Sequence, residues 1–183
     1  MLTVKVSKES MPSTSIKRLF TETGLRWLWL TLLCLTIDQV TKQWVAGSFG
    51  LYESVSVLPI FSITYVHNLG AAFSFLADQG GWQRWFFTAI AAIASIVFIV
   101  WLAKTPKSQT LLSVAFALML SGAMGNLIDR ALFGYVIDFI DFHWSGNHFP
   151  AFNVADSMIF IGAALMILDS FSSENKQEPH DKL

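Results

Sequence analysis

The stretch WQRWFFTAIAAIASIVFIVWLA, Trp82 to Ala103, decides the fold class. About 20 mainly apolar residues in a helix cross the roughly 30 Å hydrocarbon layer of a bilayer, and this segment meets that length. Working outward, three more stretches do the same: about Leu25 to Ala46 before it, then about Thr110 to Ile128 and about Ala151 to Phe171. Each has a stop, since Lys104, Pro106 and Lys107 break the chain after the second stretch and a tail rich in Ser, Glu, Asn, Lys and Gln follows the fourth. The first is too long for a cleaved signal peptide and has no small-residue cleavage pattern directly after it, so it reads as a retained span. The expectation is an α-helical integral membrane protein with four transmembrane helices, spanning about 25–46, 82–103, 110–128 and 151–171 within a membrane domain of residues 25–171. Residues 1–24 form an amino-terminal extension and 172–183 a tail.

Composition supports the bilayer as solvent. Of 183 residues, 54% are hydrophobic and only 14% charged, and the mean hydropathy is +0.52, too apolar for an ordinary soluble domain. The net charge is -1 and the basic residues form no dense patch, which argues against a nucleic-acid partner. Cys34 is the only cysteine, excluding an internal disulfide and a thiolate zinc site within one chain. Surrounded by apolar residues, it reads as a small buried hydrophobe. Lys5, Lys8, Lys17, Arg18 and Arg26 precede the first span, Lys104 and Lys107 fill the second connection, and Lys176 and Lys182 lie in the tail. By the bias of Lys and Arg to the inner side, both termini face the cytoplasm and the first and third connections face outward.

The first outer connection, about Gly47 to Gly81, contains Val55 to Val66, rich in β-branched and aromatic residues that partly alternate. A small sheet at the membrane surface is expected, with an edge strand or bulge where Pro59 interrupts it. After it, Asn68, Leu69, Gly70, Ala71, Ala72, Phe73 and Ser74 read as a turn into a short interfacial helix or as a polar amide among small residues that permit close approach. The second outer connection, Ala131 to Pro150, mixes Phe133, Tyr135, Phe139, Phe142, Trp144 and Phe149 with acids and histidines, a composition suited to the headgroup region.

Charges within apolar helices cost about 2.5–3.5 kcal/mol on insertion scales, so those present call for a role. Asp38 and Lys42 stand at i, i+4 with the acid first and can pair along one face. Asn126, Asp129 and Arg130 share a face, for bracing or for positioning a substrate. Asn153 and Asp156 begin the fourth span, where Asn153 can cap the helix or orient the carboxylate. Asp138 and Asp156 flank the aromatic loop at the outer face, where water and substrate meet. Two adjacent carboxylates share a proton near neutral pH, so one can activate water while the other protonates a carbonyl. From spacing alone the partner of Asp156 is equally Asp129, Asp138 or Asp141. His143 and His148 flank a turn and with nearby acids would offer a metal site, although their spacing matches neither a helical i, i+4 pair nor HExxH, and no GxSxG is present to mark a serine nucleophile.

The blocks NLGAAFS (Asn68 to Ser74), GNLIDR (Gly125 to Arg130), VIDF (Val136 to Phe139) and FNVAD (Phe152 to Asp156), with DQVTK from Asp38 to Lys42, occur in this order across the four spans. This arrangement resembles bacterial lipoprotein signal peptidase, or signal peptidase II, over roughly Trp27 to Asp169. The resemblance implies an aspartic endopeptidase of the bacterial inner membrane, acting as a monomer without cofactor or metal. Its substrates would be diacylglyceryl-modified prolipoproteins, cut just before the lipidated lipobox cysteine. The implied catalytic pair is Asp138 and Asp156. Asn68, Gly70, Asn126, Asp129, Arg130 and Asn153 would bind substrate or support the pair, with Asp38 and Lys42 structural and membrane lipids as surroundings. The resemblance also implies a β cradle from the first outer connection and an interfacial helix from the second. Residues up to about Gly24 match no motif, and Asp141 is an additional acid with no assigned role. Carboxylates within spans would also suit a small proton-coupled transporter, although neither an internal repeat nor mid-membrane acids accompany them. A non-catalytic membrane scaffold would have no need of the acids.

Overall fold

The computed structural model describes residues 13–70 and 81–174. The chain forms α1 (Ser13–Glu22), a 3-10 turn (Gly24–Trp27), α2 (Leu28–Ser48), β1 (Ser54–Leu58), β2 (Phe61–Asn68), α3 (Trp82–Lys104), α4 (Thr110–Leu132), β3 (Val136–Trp144), β4 (Asn147–His148) and α5 (Val154–Glu174). Three stretches among the described residues are long and apolar enough to cross a membrane: α3, α4 and residues 154–172 of α5. Helix α2 has comparable length, 21 residues, but carries the buried Asp38 and Lys42. The expected start of the first span, about Leu25, falls instead in the 3-10 turn, whose Gly24 N–H donates to Thr105 O at 2.8 Å. Residues 71–74 of the NLGAAFS block, the first 12 residues of the amino-terminal extension and the tail beyond 174 lie outside the described residues.

Helix α4 is central and mostly buried, whereas α3 and α5 leave most of their length exposed. Small residues permit this. A side chain at Gly122 would run into the Ala155 carbonyl and Ile159, and one at Gly162 would meet Met119 and the Ala115 carbonyl, so the α4 and α5 backbones meet through both glycines. The outward faces of α3 and α5, including Ile93, Ile96, Phe160 and Phe171, remain exposed, as lipid-facing surfaces do.

The sheet has the antiparallel order β1-β2-β3-β4. Its first hairpin turns at Pro59 and Ile60, and the register of the fully exposed edge strand β1 shifts between Ser56 and Leu58. Here the strand, the edge position and the irregularity all follow the sequence expectation. The second outer connection does not: it forms β3 and β4, and no interfacial helix occurs between residues 133 and 150. The reason lies in VIDFIDFHW, which is rich in β-branched and aromatic residues that favour a pleated strand. Pairing with β2 satisfies its backbone, and Val136, Ile137, Asp138 and Phe139 are all buried. The hairpin to β4 closes through Ser145 (φ 50°) and Gly146 (φ 80°), two adjacent positive-φ residues of the kind a twisted two-residue hairpin turn requires. Val45 of α2 packs with Tyr65, Ile137 and Phe139, joining the sheet to the helices.

Candidate active site

An ionic group deep in the helical bundle supports the site. Lys42 is fully buried, and its ammonium lies 2.9 Å from Asp38 Oδ2 and 2.9 Å from Asp129 Oδ2. It also donates to Asn126 Oδ1 at 3.1 Å, so all three ammonium donors have acceptors. Gln39 Nε2 bridges Asp38 Oδ2 (3.1 Å) and Asp129 Oδ1 (3.0 Å). Backbone donors complete the carboxylates: Ala155 N–H to Asp38 Oδ1 at 2.8 Å and Ile137 N–H to Asp129 Oδ2 at 3.2 Å. Thus α2 and α4 are tied to the start of α5 and to β3. The i, i+4 pair expected from DQVTK is present, and Asp129 is its third member.

Asn126 carries this group to the surface of the site. Its oxygen accepts from Lys42 and, at 3.2 Å, from Asn153 Nδ2, while Asn126 Nδ2 donates to Asp156 Oδ1 at 2.8 Å. Asn153 immediately precedes α5 and caps it. Its Oδ1 accepts the Asp156 N–H at 2.9 Å, while Asp156 Oδ2 accepts the Asn153 N–H at 3.3 Å. This reciprocal arrangement is a capping box with Asp in place of Glu, and it fixes the Asp156 carboxylate at the helix start. The capping and orienting roles considered for Asn153 are therefore one geometry.

Asp138 projects from β3 and is 2% exposed. Asn153 Nδ2 donates to its Oδ1 at 2.6 Å and Asn68 Nδ2 to its Oδ2 at 2.8 Å. Burial, and next the neighbouring Asp156 carboxylate, push the Asp138 carboxyl up to about 7, against the lowering effect of those two amides and Lys42. A group so placed exchanges its proton near neutral pH. Asn68 Oδ1 accepts the Gly70 N–H at 2.9 Å, and the Gly70 carbonyl accepts from Arg130 Nη2 at 2.8 Å. The Arg130 guanidinium stands 5.6 Å from the Phe87 ring centroid.

Of the three acids that spacing left equivalent, only Asp138 shares the Asn126 and Asn153 bridge with Asp156. Asp129 is held by Lys42 and Gln39. Asp141 is an odd number of residues from Asp138 and so takes the other face of β3, where it accepts from Thr64 Oγ1 at 2.8 Å and pairs with His148 Nδ1 at 2.9 Å. His143 meets Ser62 Oγ at 3.0 Å on the same surface. Among the described residues no three His, Cys, Asp or Glu stand together as a metal site.

Asp156 is partly exposed and opens onto an apolar groove of about 470 Å³ lined by Asn68, Phe149, Phe152, Phe160 and Ile161. Two supporting residues escaped sequence reasoning. Gln39 shares the Asp38 and Lys42 helix face, a signal available in DQVTK. Arg84 donates from Nε to Arg130 O and from Nη2 to Ala131 O, both at 3.1 Å, and so closes the end of α4. Gly134, at φ 87°, packs against that guanidinium.

A profile described as Signal peptidase (SPase) II matches residues 30–172. The lipoprotein signal peptidase of Alteromonas mediterranea is 57% identical over 160 residues, covering 87% of this chain and 88% of that one. That of Shewanella amazonensis is 53% identical over 157 residues, covering 86% and 94%. Among solved structures, a bacterial membrane enzyme determined by the in meso method superposes with a TM-score of 0.77 at 32% identity, covering 88% of this chain and 98% of that one. The family is one of peptidases, which does not favour a transporter. With the profile spanning most of the chain and the relatives matching over most of their length, this chain belongs to the signal peptidase II family.

Proposed function

We propose that this protein is an aspartic endopeptidase that removes the signal peptide from diacylglyceryl-modified prolipoproteins, with Asp138 and Asp156 as the catalytic pair. The supporting observation is the bridged pair itself: two carboxylates joined through Asn126 and Asn153, one buried and titrating about 7, the other facing an apolar groove. One carboxylate takes a proton from water, whose oxygen attacks the scissile carbonyl carbon, while the protonated partner gives its proton to the carbonyl oxygen. The tetrahedral intermediate then collapses: the C–N bond breaks, the first acid returns its proton to the departing amine of the lipidated cysteine, and a hydroxyl of the intermediate gives its proton back to the partner carboxylate.

In this reading Asn68, Asn126 and Asn153 hold the pair or the substrate. Gly70 and Arg130 shape the approach, Asp129 braces, and Asp38 with Lys42 is structural. Acyl chains bury about 0.8 kcal/mol per methylene, so a lipidated substrate stays in the bilayer and reaches the acids by lateral diffusion. Helix α2 completes four spans in the bacterial inner membrane, with both termini cytoplasmic, the sheet and acids at the outer face, and one chain sufficient. The membrane peptidase domain is residues 25–171, flanked by the extension and the tail.

The test uses a synthetic diacylated lipobox peptide and purified protein in detergent. Asp138→Asn and Asp156→Asn are each expected to fold, to bind the peptide and to lose cleavage by at least about 100-fold, or about 2.7 kcal/mol of barrier. Normal cleavage by either variant refutes the pair.

A further inference from the structure

We infer that α1 is an interfacial anchor whose cationic face binds anionic phospholipid headgroups. This helix precedes residues 30–172, the part that matches the family profile, so its role is specific to the extension.

The argument starts from helical spacing. At 100° per residue, Lys17, Arg18, Thr21 and Glu22 occupy one arc of α1, while Leu19 and Phe20 occupy the opposite one. Leu19 is 43% exposed and Phe20 46% exposed, although both are large and apolar. The height of the helix is set by its carboxyl end. Lys107 N–H donates to the Glu22 carbonyl at 3.0 Å, Lys107 Nζ pairs with the Glu22 carboxylate at 2.5 Å, and Thr23 bridges to Pro106. Arg26 then donates to the Lys107 carbonyl and to Thr110 Oγ1, at 2.8 and 3.0 Å. All of these partners belong to the turn between α3 and α4 or its flanks, which is where two membrane-length helices end. The amphipathic helix is therefore clamped at the level where hydrocarbon gives way to headgroups.

Charge selects the headgroup. Lys17, Arg18, Arg26, Lys104 and Lys107 surround this end of the molecule, against Glu22 of α1 and Asp169 near the end of α5, which runs antiparallel to α4. A neutral headgroup layer leaves that excess unanswered. Phosphate-bearing anionic lipids balance it while Leu19 and Phe20 enter the acyl boundary.

The test places an environment-sensitive fluorophore on Phe20→Cys in a Cys34→Ser background of the full chain. The protein is reconstituted in nanodiscs of phosphatidylcholine with and without phosphatidylglycerol. Because both leaflets have the same lipid, the outcome is independent of membrane orientation and of the catalytic assignment. The expected result is blue-shifted emission protected from aqueous iodide, with protection increasing with phosphatidylglycerol. Adding Lys17→Gln and Arg18→Gln shifts that lipid-dependent equilibrium by roughly fivefold per charge removed, with peptide cleavage retained. A probe quenched as readily as the same label on Asn147→Cys, or protection indifferent to phosphatidylglycerol, overturns the inference.

Discussion

Asp138→Asn should make the protein inactive and, above neutral pH, more stable. The carboxyl is raised from 3.8 to about 7, first by burial and then by Asp156. At about 1.4 kcal/mol per pH unit, keeping it ionised in the folded state costs about 4 kcal/mol. The sign follows from linkage. A group whose folded value lies above its unfolded one contributes stability below about 4 that is lost as pH rises through about 7. Asparagine has no such dependence. It brings a different cost, because its new amide meets either Asn68 Nδ2 or Asn153 Nδ2, both donors held in place by Gly70 and Asp156. A lost buried hydrogen bond costs about 1–3 kcal/mol. The net gain at pH 8 is then about 1–3 kcal/mol. Its pH dependence is independent of that offset: variant and wild type diverge by about 1.4 kcal/mol per pH unit between pH 4 and 7 and run parallel above. Thermal unfolding in detergent from pH 5 to 9 reads this directly, with the gap widening by roughly 5–10 °C between pH 5 and 7. Unfolding curves that stay parallel over that interval refute the placement of the shared proton on Asp138.

Two packing predictions follow from the same framework. Lys42→Met leaves Asp38 and Asp129 buried without their cation and should cost about 3–5 kcal/mol; adding Asp129→Asn should recover part of it, and a loss under about 1 kcal/mol by the single variant in thermal unfolding would contradict the bracing role. Gly122→Ala drives a methyl into the Ala155 carbonyl and Ile159, so α4 and α5 must separate at a cost of about 1–3 kcal/mol, checked by melting temperature.

Local periodicity carried much of the architecture. The apolar runs that became α3, α4 and α5 were readable because each keeps one character for about 20 residues, and the Asp38 and Lys42 pair was readable because an i, i+4 relation needs only one helix. The hairpin of β1 and β2 was likewise visible in β-branched alternation around Pro59. The interfacial helix expected in the second outer connection failed for a physical reason. VIDFIDFHW is rich in β-branched and aromatic residues and has β2 as a partner, so it pairs as a strand.

The sequence by itself determined the bilayer as solvent, the near-complete set of polar residues that meet at the site, and, through its ordered motifs, the family. Only the tertiary structure shows the contacts by which the acids, equivalent in spacing, divide. Asp129 falls to Lys42, Asp141 turns to the other face of the sheet with His148, and Asp138 joins Asp156 through two asparagines. The physical reason is distance along the chain. Those partnerships join α2, α4, β3 and α5, and a hydrogen bond between segments far apart in sequence leaves no periodic mark on any one of them.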